Sequence, residues 1–257
     1  MKRTACITGA SSGIGEEFAR QLAAKHYDLI LVARSREKLE ALAEEVGREH
    51  GVSCEILPCD LSKIDECKWL VRLLHKRGLY LLVNCAGFGD IGYFHESSQD
   101  KNLEMIDVNV RALHLLTKGV LGDFIARDSG YILNVASLAG LLNGGPFMTT
   151  YYATKSYVVS LTNSISHELK MLGSKVRISA LCPGPVDTNF NNVAGVSFAL
   201  RGMSAKNCVR YCLKQMDQGK CIIVPGLMTK LAAFGPRILP RSLVLKIVAN
   251  MQSRKLG

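Results

Sequence analysis

The chain has no apolar run long enough to span a bilayer, no internal repeat, no low-complexity tract and no Pro/Gly/Ser-rich linker. These absences exclude a membrane-crossing helix, a repeat array and a tethered second module, so residues 1–257 are expected to form one domain. Acidic residues are scarce, 22 against 32 Lys and Arg, for a net charge of +10. Such a balance often signals nucleic acid or an anionic membrane. Here the basic residues form no block and do not alternate with aromatics, so no nucleic-acid partner is expected. The strand-like N-terminus carries no secretory apolar core, and nine cysteines show no regular pairing. Free thiols in a reducing cytoplasm follow as the expectation. Cys208 and Cys212 can share a helix face, but no His or second Cys pair completes a zinc set, and no metal is expected.

What the chain does have is an alternation. Apolar, strand-like runs at 3–8, 28–33, 53–57, 79–84, 131–136, 176–181 and 221–224 are separated by segments long enough for crossover helices. That pattern predicts an α/β fold with a parallel sheet covered on both faces. With 48% hydrophobic residues the chain can bury a full core. Ser204 reads as the N-cap of a helix leading to the last strand.

Two local patterns carry chemistry. The first strand runs into Gly9-Ala10-Ser11-Ser12-Gly13-Ile14-Gly15, after which Phe18, Ala19 and Leu22 recur at helical spacing. A glycine turn between a strand and a helix N-terminus forms an anion site, because backbone N–H groups and the helix dipole converge on it. The spacing is G-x-x-x-G-x-G, unlike the common dinucleotide fingerprint. The second pattern is Tyr151 and Lys155, one helical turn apart, with Ser137 upstream. A cation beside a phenol favours phenolate, so the Tyr151 pKa is expected to fall toward neutrality and make it a general acid/base. Tyr152 lacks the four-residue spacing to Lys155.

TGASSGIG at 8–15, Asp60-Leu61, Asn84-Cys85-Ala86-Gly87, Asn109, Ser137, Tyr151, Lys155 and Pro183-Gly184 closely resemble the short-chain dehydrogenase/reductase family in order and approximate spacing over nearly the whole chain. Tyr151-Tyr152-Ala153-Thr154-Lys155 and Val224-Pro225-Gly226 look like a broad bacterial group of NADP-dependent reductases. Cys85 departs from the family pattern, which usually has asparagine there. The resemblance implies a Rossmann-like, doubly wound, seven-stranded parallel sheet in the order 3-2-1-4-5-6-7. It also implies a homodimer or homotetramer through the helices that contain Asn109 and Tyr151.

Cofactor choice is read at the end of the second strand. Ala33 stands where NAD-preferring relatives usually carry an acid, and Arg34 follows it. An arginine there attracts the 2'-phosphate of NADP(H), with Ser12 or Ser35 assisting. By resemblance the cofactor is also held by Gly9, Ser11, Gly13, Ile14, Gly15, Asp60, Leu61, Asn84, Ala86, Gly87, Tyr151, Lys155, Pro183, Gly184, Val186 and Thr188. Asp60 also reads as a helix N-cap. The resemblance makes Ser137 the donor to a substrate carbonyl oxygen, Tyr151 its proton donor and Lys155 the partner of Tyr151 and of the nicotinamide ribose. Asn109 would hold a water that resupplies the proton.

The expected substrate is a small hydrophobic ketone or aldehyde, or the corresponding alcohol. Ser137, Leu138, Phe147, Tyr151, Phe190 and Phe198 are its candidate contacts, since the segments around them are apolar with few charges. A mobile lid is expected over about 189–203. The segment 227–257 mixes apolar and basic residues. A pocket flap or subunit contact is its preferred reading over a membrane-surface element. A 3-oxoacyl thioester or hydroxysteroid substrate is the enzymatic alternative, and an NADPH-binding sensor or scaffold is the nonenzymatic one.

Overall fold

The computed structural model describes residues 3–188 and 202–253. Seven parallel strands form the central sheet. They are β1 (Thr4–Thr8), β2 (Asp28–Ala33), β3 (Cys54–Pro58), β4 (Leu81–Asn84), β5 (Tyr131–Val135), β6 (Arg177–Leu181) and β7 (Ile222–Ile223). Their spatial order is β3-β2-β1-β4-β5-β6-β7, as the family resemblance implies. Strands β1, β2, β4 and β5 are buried almost throughout, because helices cover both faces. The edge strand β3 is only half-buried and ends on Pro58, whose missing N–H is harmless at an edge. The last strand stops at two residues, just before Val224 and Pro225.

Helices α1 (Gly13–Ala23) and α2 (Arg36–His50) pack on one face, and α3 (Ile64–Leu74) and α5 (Leu113–Ala126) on the other. Phe18, Ala19 and Leu22 are fully buried, so the helical spacing read after the glycine turn is the inner face of α1. Between α4 (Gln99–Ile106) and α5 the backbone widens into a π-helical turn, Asp107–Ala112, with Asn109 at its inner side. Such turns insert a residue into a helix and re-aim its side chains. The long α6 (Thr149–Met171) carries Tyr151 and Lys155.

Ser204 caps α7 (Ala205–Asp217) by accepting the Asn207 N–H. Cys208 and Cys212 both lie on the buried face of that helix. Two short parallel residues, Val186–Asp187, pair with Met203–Ser204 below the strand ends. The chain continues into α8 (Leu227–Phe234) and α9 (Arg241–Ser253). No helix of the described residues is long and apolar enough to cross a membrane.

Candidate active site

Beyond the carboxyl ends of the strands lies a cavity of about 530 Å³, within the usual range for ligand sites. At one end it meets the glycine turn. Gly9 and Gly13 have φ of 67° and 59°, in the left-handed region. A Cβ on Gly9 would stand 2.9 Å from the Ala86 backbone, and one on Gly15 would strike the Gly9 carbonyl oxygen. Ser12 and Ser35 are the N-cap residues of α1 and α2, yet neither hydroxyl caps its own helix. Ser11, Ser12, Ile14 and Ser35 all line the cavity.

Arg34 lines this end too, largely exposed, with Nη1 3.5 Å from Glu104. Lys38 stands beside it and was not anticipated from the sequence, although its place in the first turn of α2 is the available signal. Asp60 does not cap a helix. The N-cap of α3 is Lys63, and the Asp60 carboxylate instead accepts the Ser62 N–H and hydroxyl at 3.0 and 2.8 Å. Burial opposes its ionisation, but the Ser62 bonds and nearby Arg34 and Lys63 hold its pKa below the usual carboxylate value. Asp60 and Leu61 both face the cavity.

The middle wall is the turn after β4. Thr8 Oγ1 accepts the N–H groups of Cys85 and Ala86 at 3.0 and 3.1 Å, so the turn keeps its shape with cysteine in place of asparagine. Burial pushes the Cys85 thiol up to about 12. Ala86 and Gly87 line the cavity, but Asn84 does not. Its side chain turns into the core, where Nδ2 donates to Thr117 Oγ1 and Asn134 Oδ1 at 3.0 and 2.9 Å. Against the expected place on the cofactor wall, Asn84 is held in the core, because strand alternation directs its side chain toward α5 and its neighbour on β5.

At the far end Ser137, Tyr151 and Lys155 converge on the cavity. Ser137 follows β5, and its Oγ accepts the Ala139 N–H at 3.1 Å. A side-chain hydrogen bond joins Ser137 to Tyr151. Lys155 Nζ donates to the Val135 carbonyl at 2.9 Å and lies 5.8 Å from the centre of the Tyr151 ring. Burial pushes the Tyr151 phenol up to about 12, against the expected fall, although the Ser137 bond works the other way. Burial also brings Lys155 down to about 8. The physical reason is common to both: a dry site disfavours phenolate and ammonium alike.

Asn109 sits behind this group, fully buried. Its Oδ1 accepts the Phe88 N–H at 3.1 Å, and its Nδ2 donates to the Phe88 carbonyl and Thr154 Oγ1 at 2.9 and 3.1 Å. A Cβ on Gly87 would lie 2.8 Å from Asn109 Oδ1 and 3.3 Å from Lys155 Nζ. The absent side chain at Gly87 is thus what admits both groups to one spot.

Pro183, Gly184, Val186 and Thr188 complete the floor, with Thr188 against Gly13. Leu138 lines the substrate end, as do Leu142 and Met148. Phe147 does not. Its ring packs edge-on against Tyr93 at 5.0 Å, beside a separate small recess. Phe190 and Phe198, with most of the expected lid, lie outside the described residues. Tyr152, set aside from the sequence for its spacing to Lys155, and Gln252, not anticipated there, both line the cavity. Gln252 Nε2 donates to Tyr152 Oη at 2.6 Å, while Gln252 Oε1 is buried with no hydrogen-bond partner among the described residues. Gln252, Val248 and Met251 bring α9 over the cavity, which makes this part of the C-terminal segment a cover.

Residues 3–195 match the family model described as short chain dehydrogenase. The chain is 38% identical over 189 residues to the oxidoreductase UcpA of Escherichia coli (strain K12), covering 72% of this chain and 70% of that protein. A short-chain dehydrogenase from Sphingobium yanoikuyae, solved in complex with NADPH, superposes with a TM-score of 0.84 at 30% identity over 91% of this chain and 93% of its own. A bulky-bulky ketone specific alcohol dehydrogenase from Comamonas testosteroni gives 0.79 at 27% identity over 88% and 86%. With the fold these likenesses agree, and the chain belongs to the short-chain dehydrogenase family of oxidoreductases that act on CH–OH and C=O groups.

Proposed function

We propose that the chain is an NADP(H)-dependent reductase of a hydrophobic ketone or aldehyde, reversible toward the alcohol. The observation that carries this reading is a single cavity with Arg34 and Lys38 at one end and Ser137, Tyr151 and Lys155 at the other. The residues present fit a dinucleotide. The glycine turn leaves the space a Cβ would fill, Arg34 and Lys38 suit a 2'-phosphate, and Ser12 and Ser35 offer hydroxyls beside them. Solved relatives in complex with NADPH and NADP support the same choice, although one from Burkholderia phymatum holds NAD. When bound, the dihydronicotinamide supplies the hydride.

This chain's residues handle the oxygen and the proton. Ser137 donates a hydrogen bond to the carbonyl oxygen, where negative charge develops. Tyr151, kept as a phenol by burial, gives that oxygen its proton. Lys155, held by Val135, favours the phenolate that remains and binds ribose hydroxyls. Asn109 fixes the Phe88 turn and the Thr154 side of α6, and holds the water through which the proton is replaced.

Leu138, Leu142, Met148 and Val248 make the substrate end apolar. Tyr152 and Gln252 Oε1, which has no partner among the described residues, favour a substrate that carries a hydrogen-bond donor away from its carbonyl. A cytoplasmic setting is supported by nine free cysteines. Self-association as a dimer or tetramer belongs to the same reading through the family resemblance. Cofactor oxidation over a panel of hydrophobic ketones, hydroxysteroid-type ketones and 3-oxoacyl thioesters tests the assignment. Turnover of a hydrophobic ketone with NADPH is expected; tight NADPH binding with no turnover of any class would favour a sensor instead.

A further inference from the structure

The C-terminal cover has a second face. On α9, Val244, Val248 and Gln252 form the buried stripe, and the adjacent stripe of Leu243, Ile247 and Met251 is exposed. Helix α8 buries none of its residues. Leu227, Met228, Leu231 and Phe234 recur along it at helical spacing, with Met228 78% and Leu227 73% exposed. The connection adds Ile238, 69% exposed. Scattered exposed apolar residues need no explanation, but consecutive exposed stripes on two joined helices do.

Charge identifies the occupant. Among the described side chains of α8 and α9, Lys230, Arg241 and Lys246 are exposed cations and none is Asp or Glu. Packed symmetrically against a second copy, this segment would set cations against cations. Against an anionic lipid surface the same residues are complementary, while the apolar stripes enter the acyl boundary. Neither helix spans: they contain eight and thirteen residues. Met251 joins the two sides, being 58% exposed while also lining the cavity.

From this arrangement we propose that α8, α9 and their connection form an in-plane docking surface for anionic membranes, with the substrate cavity directly beneath it. The surface serves to bring the cavity to apolar molecules dissolved in lipid. The docking claim does not depend on the reductase reading, because binding is read without cofactor or substrate.

Co-sedimentation of the full chain with phosphatidylglycerol vesicles and with phosphatidylcholine vesicles tests it, alongside Leu231→Glu/Phe234→Glu, Lys230→Glu/Lys246→Glu and, on a distant face, Leu172→Glu. All five positions are exposed, so the fold is not at stake. Binding to phosphatidylglycerol is expected to exceed binding to phosphatidylcholine by more than about tenfold and to fall in high salt. Both double variants should lose it, while Leu172→Glu keeps it. Absence of binding to phosphatidylglycerol, or equal loss in Leu172→Glu, would overturn the proposal. So would an oligomer, seen by sedimentation velocity, that the same two double variants dissociate, since that assigns the surface to a second copy.

Discussion

Lys155 is a buried ammonium whose hydrogen bond goes to a backbone carbonyl rather than to a carboxylate. Its pKa falls to about 8 in the folded chain, from an ordinary value near 10.4. Between those values the unfolded chain binds the extra proton, so this group's penalty is complete below about pH 8 and is relieved as the pH rises. Lys155→Met is therefore expected to be more stable than the parent at pH 7, by about 1–2 kcal/mol after loss of the Val135 bond. The advantage should fade toward pH 10, as read from urea unfolding at the two pH values. The same variant should lose turnover, so stability and activity move in opposite directions. Arg34 belongs to this scale as well. Arg34→Asp is expected to reduce NADPH affinity relative to NADH by at least about tenfold by titration, since repulsion replaces a charge-assisted contact. Unchanged selectivity would assign the 2'-phosphate to Lys38 or elsewhere. The Tyr151–Lys155 spacing was legible in the sequence, but the direction of the tyrosine shift was not, because spacing reveals the neighbouring charge and conceals the burial that opposes it.

The elements explain why some motif residues face the cavity and others do not. Gly15 lies in the first turn of α1, against the Gly9 carbonyl. Gly15→Ala is expected to cost about 1–3 kcal/mol of stability, by thermal unfolding, and to weaken NADPH binding, because the turn and the helix can no longer close together. Asn84 ends β4 and belongs to a buried polar seam that continues through Asn134 to Thr162. Asn84→Ala should destabilise the chain by about 1–3 kcal/mol while leaving the NADPH dissociation constant nearly unchanged. Unaltered stability with weakened binding would return Asn84 to the cofactor wall. In a strand buried on both faces every residue reads as interior, so the sequence cannot say which face Asn84 takes. The π-helical turn at Asn109 was hidden for a related reason: hydrophobic period alone does not register one inserted residue.

At the scale of the whole molecule, the strand-and-helix alternation was sufficient to foresee a parallel sheet, and its strand order came with the family resemblance. The C-terminal cover was harder to read. Val248, Met251 and Gln252 reach the cavity from a helix far along the chain, and apolar spacing does not tell a cavity wall from an exposed face. The sheet sets one cavity at the carboxyl ends of its strands, with Arg34 and Tyr151 both on its wall, and the proposed function makes Tyr151 the proton donor. The most direct test of that claim is steady-state NADPH oxidation with an accepted ketone by Tyr151→Phe, beside the parent and with NADPH binding measured on both. Retained NADPH binding with turnover reduced at least about a hundredfold is the predicted result; near-parental turnover would contradict the account.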